Sequence, residues 1–337
     1  MSPIGLSLRQ RLGVWIKDRP RYEWALRMPR PAYLALCNRQ EVLDPAPQAL
    51  GYACRWSFTS QLHAPTVQPW LGQRLLQRCL KHAPILRSTT PPPSNQEPQI
   101  SVLIGHRGLE RLPLLLATLE SLAAQRHVRF ECLVIEHDTC ATMADHLPPW
   151  VRHVHDVTKS ATPYNRSQAF NFGAQHARAP VLLLHDNDML VPADYLSRIL
   201  ERISRGFVVV NPKRYVFYLS QMHTEALLSG DADLCHYPLE AIVQNLEAGG
   251  SMAITTGAYC ELGGMDESFV GWGGEDNEFW DRCLTLPTWI WGYEPIVHLW
   301  HASQPEKLLV HNSNFQRLTD HLRLPTMQRI DRLRRRT

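Results

Sequence analysis

The chain of 337 residues has no long uninterrupted apolar run and little net charge. No stretch approaches the roughly 18 consecutive apolar residues that a membrane-spanning helix needs. Basic residues also interrupt the N-terminal segment where a secretory leader would have its apolar part. The net charge of +3 is too small to indicate a nucleic-acid-binding protein. We therefore expect a cytoplasmic protein that binds no nucleic acid.

Two further motifs are missing. The eight cysteines contain no C-x-x-C pair, so their spacing is not that of a zinc site or a disulfide framework, and we interpret them as reduced, mostly buried thiols. The first predicted strand is followed only by Gly105-His-Arg-Gly108, without a glycine-rich dinucleotide fingerprint. That absence argues against a nicotinamide or flavin enzyme.

A proline-rich polar segment, residues 88–98, divides the sequence. It has too few apolar side chains to pack, so we interpret it as a linker. Before it, residues 1–87 form a predicted accessory region that is helical and irregular and rich in Arg, Trp and Pro. After it, residues 99–312 form the predicted main domain, and residues 313–337 form a basic helical tail.

Both ends of the chain allow a contact with a membrane. Apolar residues from Ile4 to Ile16 have helical spacing, with basic residues mostly on the other faces, and Pro20 ends this helix. We favour a helix that packs on the main domain; the alternative is a basic amphipathic helix on a membrane surface. For the tail we favour a solvated helical end, the alternative being attraction to an anionic surface at about 1 kcal/mol per basic residue. Either alternative would make the protein peripheral at the inner face of the membrane.

Strand and helix patterns alternate after the linker and predict an α/β domain. Residues 100–104 and 130–135 are apolar runs typical of buried strands, and residues 112–122 between them have helical spacing. This arrangement implies parallel strands joined by a right-handed crossover. Further predicted elements are strands at residues 151–154, 181–184, 207–210 and 215–218 and a helix at 167–177. Ligands of such a sheet lie at the carboxyl ends of its strands.

Two aspartates, Asp186 and Asp188, follow one of the buried apolar runs. Alternate residues of a strand point to the same side, so both carboxylates can reach one point at the sheet edge. Mg²⁺ and Mn²⁺ favour such oxygen ligands and typically take substrate phosphates in their other positions. Late in the domain, His298 or His301 could complete a metal site with Asp188. A simple turn, and structural histidines, are the alternatives.

Residues 271–280, Gly-Trp-Gly-Gly-Glu-Asp-Asn-Glu-Phe-Trp, place three glycines around a tryptophan and three carboxylates directly after them. Glu275, Asp276 and Glu278 repel one another unless another group needs them there. One interpretation is a turn followed by the acidic first turn of a helix, where carboxylates are favourable. The other is a site in which the glycines let the backbone approach a ligand closely.

In chain order, the motifs of the main domain resemble those of the GT-A fold glycosyltransferases. The matching segments are residues 164–173, 185–188, 249–253, 263–266, 271–276 and 298–301. Over roughly residues 98–310 the sequence is similar to the β-1,4-galactosyltransferases and to bacterial family 2 enzymes of chondroitin-polymerase type, which share the Trp-Gly-Gly-Glu-Asp segment. The resemblance implies a Rossmann-like, mixed and mostly parallel α/β sheet flanked by helices, with a small helical N-terminal region. It also implies a metal-dependent, inverting transfer of a sugar from a UDP-sugar.

The resemblance further implies a role for each matching residue. Asp276 matches the catalytic base, which takes the acceptor hydroxyl's proton as that oxygen attacks the anomeric carbon, and Glu275 matches the acidic residue beside it. Asp188 matches the direct ligand of Mn²⁺ (or Mg²⁺) and His301 the metal histidine, with His298 in reserve; Asp186 lies nearer the ribose and the metal waters. The implied donor-binding residues are His106, Arg107, Glu136, Asp138, Arg166, Asn171, Asp186, Trp272 and Gly273. Of these, Glu136 and Asp138 would hold uracil, and Arg166 the phosphates.

The acceptor implied by the resemblance is a glycan or a lipid-linked or other glycoconjugate, in bacterial surface polysaccharide synthesis. The residue that chooses between galactose and N-acetylgalactosamine has no match here, so the donor sugar stays open. Two alternatives remain: a non-catalytic GT-A-shaped binding or scaffold subunit, and a retaining enzyme like the N-acetylgalactosaminyltransferases, which carry a similar Trp-Gly-Gly-Glu. Asp276 argues against the latter, because those enzymes usually have Asn at that position.

Overall fold

The computed structural model describes residues 7–36, 41–48, 50–56, 64–94, 96–157, 163–303 and 313–335. Its strands are β1 Glu41–Pro45, β2 Tyr52–Trp56, β3 Ile100–His106, β4 Phe130–Asp138, β5 Arg152–Val157, β6 Val181–His185, β7 Met189–Leu190, β8 Val209–Val210, β9 Lys213–Tyr218, β10 Ala241–Gln244, β11 Ser251–Thr255, β12 Thr288–Trp289 and β13 Glu294–His298. Its α-helices are α1 Leu8–Lys17, α2 Arg19–Arg27, α3 Ala64–Val67, α4 Pro69–His82, α5 Leu112–Ala123, α6 Arg166–His176, α7 Tyr195–Ser204, α8 Gln221–Ser229, α9 Thr256–Glu261, α10 Glu275–Cys283, α11 Ser313–Leu322 and α12 Thr326–Arg334.

The main sheet has seven strands in the order β12-β8-β11-β6-β3-β4-β5. The pairs β6–β3, β3–β4, β4–β5 and β12–β8 are parallel, whereas β11 is antiparallel to both β6 and β8. Strand β3 is buried on both faces because helices cover the sheet, as in other parallel sheets. The predicted mixed, mostly parallel α/β fold is confirmed.

A second sheet of four strands, β10-β9-β13-β7, lies beyond the end of β6. Strand β13 pairs in parallel with β9 and antiparallel with β7, so His298 lies opposite Tyr218 on one side and Met189 on the other. The chain leaves the main sheet at His185 and enters the second sheet at Met189. Residues 186–188 therefore lie where the two sheets meet.

The N-terminal region packs on this second sheet. Buried side chains of both regions form one apolar cluster, which includes Tyr22, Leu71 and Leu75 together with Phe217 and Val297. Part of the predicted linker is also held on the main domain: the backbone N–H of Ser88 donates to the Glu120 carbonyl at 3.0 Å, and Nε1 of Trp150 donates to the Thr89 carbonyl at 3.0 Å. The predicted domain boundaries stay predictions.

The first helix differs from our favoured interpretation. In α1 only Val14 is buried, whereas the apolar residues that we expected to pack on the main domain face solvent. Residues 1–6, which the predicted helix partly included, lie outside the described residues. No helix within the described ranges is both long enough and apolar enough to cross a bilayer.

The basic tail also differs from the solvated helical end that we favoured. Arg329, Ile330 and Leu333 of α12 are buried. The guanidinium of Arg329 forms an ion pair with Glu278 of α10 at 2.6 Å and another with Asp281. Helix α12 is therefore docked on α10 through its basic residue, and only its other face is exposed.

Candidate active site

The loop between the two sheets is fixed by backbone hydrogen bonds at both ends. The N–H of Asp186 donates to the Gly250 carbonyl at 2.8 Å, and the N–H of Leu299 donates to the Asp188 carbonyl at 2.9 Å. The amide of Asn187 donates to Nδ1 of His106 at 2.8 Å, and this links the loop to the end of β3. Burial lowers the pKa of His106, which favours the neutral ring that such a bond requires.

Asp188, His298 and His301 form a group that could hold a metal ion. Each offers one ligand atom, and these atoms all lie within 4.8 Å of one another. Nε2 of His301 is 3.2 Å from Asp188 Oδ2, and Nε2 of His298 is 3.8 Å from Asp188 Oδ1. Asp188 is buried, and its Oδ1 accepts no hydrogen bond from the described part of the chain. A buried carboxylate oxygen without a donor fits a site for a divalent cation.

Burial favours the form of His301 that a metal needs. Burial lowers the pKa of His301, and so favours the neutral imidazole. Its Nδ1 lies 2.8 Å from the Ala302 carbonyl oxygen, and its Nε2 is the ring nitrogen on the Asp188 side. The ring of His298 stacks on Tyr218, with 4.5 Å between the ring centroids. The sequence left open whether His298 or His301 lies at the metal site, and the structure places both beside Asp188.

Arg111, at the start of α5, belongs to this site and was missed from the sequence. Its guanidinium lies 3.8 Å from Asp188 Oδ2 and 3.0 Å from Nδ1 of His301. An arginine in a surface turn before a helix carries no local signal of such a role. Only the parallel pairing of β3 with β6 puts that turn beside the Asp186–Asp188 loop.

Asp186 lies with Arg166 rather than in the group of three. The guanidinium donates to Asp186 Oδ1 from Nη2 at 2.6 Å and from Nε at 3.1 Å. Burial favours the neutral acid, but Arg166 outweighs it and lowers the pKa of Asp186. Arg166 begins α6, whose N-cap Asn165 accepts from the N–H of Gln168 at 3.0 Å. The same guanidinium reaches Oε1 of Glu275 at 3.5 Å.

The acidic stretch both begins a helix and lines a pocket. Gly274, with φ of 90°, precedes the first residue of α10, a backbone conformation that favours glycine. Glu275 is buried, and burial first and Asp276 second raise its pKa to about 7. Glu278 is instead bound within the protein, between Arg282 at 2.7 Å and Arg329 at 2.6 Å. Each of the three carboxylates thus has a different environment.

Asp276 opens onto the pocket next to a glycine that leaves room for it. The residues lining this pocket are Arg166, Leu184, Gly249, Ser251, Met252, Met265, Asp276 and Phe279. A Cβ added to Gly249 would lie 2.4 Å from Oδ2 of Asp276. The carboxylate is oriented from its own helix, because Oδ1 accepts from the backbone N–H of Asn277 at 2.8 Å.

Other predicted donor-binding residues have partners within the protein. Glu136 is fully buried, and its carboxylate accepts from Thr142 at 2.7 Å and from His153 at 2.7 Å. The Asn171 amide donates to the Met265 carbonyl at 2.9 Å and accepts from Tyr259 at 2.6 Å. Both side chains fix neighbouring loops, so their contact with a nucleotide stays a prediction.

The remaining predicted residues lie at two places. Arg107 and Asp138, 3.5 Å apart, follow β3 and end β4 at the carboxyl edge of the main sheet. Trp272 is half-buried and meets Phe315 of α11 edge to face, with 5.7 Å between the ring centroids; Gly273 beside it is buried. The contacts of Trp272 and Gly273 with a donor stay predictions.

An α/β sheet with an acidic pocket at its strand ends, beside a group that could hold a metal ion, agrees with the fold that the sequence resemblance implied. Residues 101–295 match the family model described as glycosyltransferase like family 2. The match spans more than half of the chain, so the chain belongs to this family. The resemblance to glycosyltransferases read from the sequence is confirmed at the level of the family.

The relatives are distant. β-1,4-Galactosyltransferase 5 of Mus musculus is 24% identical over 189 residues, which cover 55% of this chain and 37% of that protein. The chain thus spans little more than a third of that relative. The catalytic domain of Drosophila β1,4-galactosyltransferase 7, in complex with xylobiose, is 16% identical with a TM-score of 0.31, covering 56% of this chain and 63% of that one. GalNAc-T7 with UDP, GalNAc and Mn²⁺ is 18% identical with a TM-score of 0.46, covering 72% and 55%.

Proposed function

We propose that this glycosyltransferase moves a sugar from a UDP-sugar to a hydroxyl of a glycan or glycoconjugate, with inversion and with the help of a divalent cation. One observation carries the proposal. A group of metal-binding type, Asp188 with His298 and His301, lies one short loop away from the pocket that holds Arg166 and Asp276. An inverting glycosyltransferase needs a group that binds the leaving diphosphate and a basic carboxylate, on opposite sides of the reacting carbon.

The diphosphate side of the donor would be held by cations. Asp188 and the two histidines would bind Mn²⁺ or Mg²⁺, which neutralises charge on the leaving diphosphate. Arg166 is positioned for the same end of the donor, since its guanidinium already bridges Asp186 and Glu275. Fixed positive groups of this kind stabilise charge that develops in the transition state.

Asp276 would act as the base. Its carboxylate faces the pocket, and the absence of a side chain at Gly249 leaves space beside Oδ2. The acceptor hydroxyl would give its proton to Asp276 as its oxygen attacks the anomeric carbon from the side opposite the diphosphate. Glu275, whose pKa near 7 lets it donate or accept hydrogen bonds, would hold sugar hydroxyls.

The experiment is UDP release from a panel of UDP-sugars, in Mn²⁺ and in EDTA. We expect release from one sugar, lost with EDTA and in Asp188→Ala. Asp276→Asn should still bind UDP but turn over at least a hundredfold more slowly, since general base catalysis contributes about 10² to 10⁴ in rate. The matched control is Asp320→Ala, a carboxylate on α11 half-exposed to solvent at 51%, which should leave release unchanged.

Three outcomes would contradict the proposal. Release that persists in EDTA and in Asp188→Ala would remove the metal site from the reaction. Full activity of Asp276→Asn would mean that another group is the base. An α linkage in the product of a UDP-α-sugar, read from the anomeric NMR signals, would favour the retaining alternative. A surface-polysaccharide acceptor and a cytoplasmic location rest on the sequence alone and stay predictions.

A further inference from the structure

Helix α1 exposes an apolar stripe that no described part of the protein covers. Leu8 is 74% exposed, Leu12 49%, Trp15 51% and Ile16 62%. At 3.6 residues per turn these four positions fall within about 100° of the helix circumference. Val14, the buried residue that holds α1 on the protein, is on another side. The helix therefore turns its least polar face to solvent.

Basic residues border the stripe on both sides. Arg9 and Arg11 flank it on the helical wheel, one beyond each edge. Residues 7–30 contain seven Arg and Lys against two acidic residues. Asp18 is buried. Glu23 pairs with Arg74 at 3.0 Å and lies 3.9 Å from Arg19 and 3.8 Å from Arg27, so it offsets charge of α2 rather than that of α1. The exposed charge of α1 and α2 is thus strongly positive.

A second exposed tryptophan continues the surface onto α4. The guanidinium of Arg19 lies over the rings of both Trp15 and Trp70, 5.5 Å and 5.3 Å from their centroids. Trp70 is 41% exposed. Tryptophan is enriched at the boundary between lipid headgroups and acyl chains, where one end of its ring is apolar and the other can hydrogen-bond.

We propose that α1 binds the surface of an anionic lipid bilayer, with Leu8, Leu12, Trp15 and Ile16 in the headgroup boundary and its arginines on the phosphates. An apolar stripe bordered by Arg suits this position, and the positive charge complements anionic lipid. A lipid surface fits better than a second copy of the chain, because two such basic faces would repel each other. The inference does not depend on the proposed reaction, and its test does not use activity.

The experiment is co-sedimentation of the full chain with vesicles of phosphatidylcholine alone and of phosphatidylcholine mixed equally with phosphatidylglycerol. We expect binding to the mixed vesicles that weakens as salt is raised, because the Debye length falls to about 8 Å at physiological ionic strength. Arg9→Gln with Arg11→Gln should lower the partition coefficient about thirtyfold, at about 1 kcal/mol per basic residue. Trp15→Gln with Ile16→Gln should lower it at least tenfold.

Matched controls come from α8 and α12. Met222 and Met327 are 57% and 58% exposed, so Met222→Gln with Met327→Gln removes similar apolar area elsewhere. Arg332→Gln with Arg335→Gln removes two exposed charges of the tail. Both controls should bind as the wild type does, and all variants should keep its melting temperature because the changed side chains are exposed.

Several results would overturn the proposal. The first is an absence of binding to the mixed vesicles. The second is a loss of binding in either control pair as large as that in the α1 variants. The third is binding that does not change with salt or with lipid charge. A wild-type dimer that sediments without vesicles and dissociates in Trp15→Gln with Ile16→Gln would assign the stripe to self-association instead.

Discussion

The buried carboxylate of Glu275 lowers the stability of the folded protein, and its removal should show this. Burial and the neighbouring Asp276 raise its pKa from 4.5 to about 7. Above pH 7 the folded protein must therefore carry a charge in a place that disfavours it, whereas the unfolded chain carries the same charge in water. Glu275→Gln keeps the shape of the side chain and an oxygen acceptor for Arg166, but it removes the charge.

The sign and size of the effect follow from the two pKa values. Between pH 4.5 and about 7 the folded state binds more protons at this site than the unfolded state does. The contribution of Glu275 to stability therefore falls as pH rises through this window and stays low above it. One pKa unit corresponds to about 1.4 kcal/mol, so the carboxylate costs about 3 kcal/mol above pH 7. Glu275→Gln should be more stable than the wild type by that amount.

The assay is urea unfolding of the wild type and Glu275→Gln across this pH range. The gain should be full above pH 7 and shrink towards zero as pH falls to 4.5. Glu294 offers a matched control, since burial raises its pKa to about 7 as well and it lies outside the pocket, paired with Arg198 at 2.6 Å. Glu294→Gln should gain stability too and keep UDP-sugar turnover, whereas Glu275→Gln should lose turnover.

A pH-independent difference between Glu275→Gln and the wild type would refute this reasoning, as would a variant less stable than the wild type above pH 7. Either result would mean that the ion pair with Arg166 offsets the burial of the charge in full. The stability and turnover measurements are separate. A stabilised variant with full turnover would leave the argument about burial intact but remove Glu275 from catalysis.

Four other substitutions test three separate parts of the structure. His298→Ala and His301→Ala should each weaken Mn²⁺ binding at least tenfold by titration calorimetry if both are ligands, and a variant that binds as the wild type does would exclude that histidine. Arg329→Leu should destabilise the protein by about 3 kcal/mol in urea, because it leaves a buried carboxylate of α10 with one partner instead of two; an unchanged midpoint would mean that α12 is not docked in solution. Gly249→Ala should lose most turnover, since its Cβ would meet Asp276 at 2.4 Å; normal turnover would mean that this carboxylate is free to move away.

The centre of the main sheet could be predicted because its strands are encoded locally. The strands β3, β4 and β6 each contain a short, mostly apolar run, and the helix between β3 and β4 has clear helical spacing. The second sheet could not be predicted in the same way. Residues 215–218 were predicted as a strand, but the parallel partner of that strand, β13, lies some 80 residues later, and β7 has only two residues. Pairing over such distances leaves no local pattern.

The same contrast between local sequence patterns and long-range contacts applies to the residues of the candidate site. Asp188 and the two histidines were found because Asp-x-Asp after a buried strand is a chemical pattern, and the structure brings them together. Arg111 had no pattern of its own and reaches the site only through the fold. Glu136 is a different case: its place at the end of a strand was predicted, but its hydrogen bonds to the next loop depend on a backbone path that sequence does not specify.

In the acidic stretch at residues 271–280, Glu278 stabilises the fold, whereas Glu275 and Asp276 lie at the candidate site. Glu278 faces into the protein, where Arg282 and Arg329 neutralise it, and so the first turn of α10 is anchored by α12. Because that turn is fixed, Asp276 and Glu275 cannot relax away from each other, and the charge of Glu275 stays in a place that raises its pKa. Glu278, which anchors this turn, therefore lies only three residues from Glu275, the carboxylate whose burial lowers the stability. The first turn of α10 thus places two carboxylates side by side near the pocket at a cost in stability, and the third carboxylate, with its two arginines, anchors that turn.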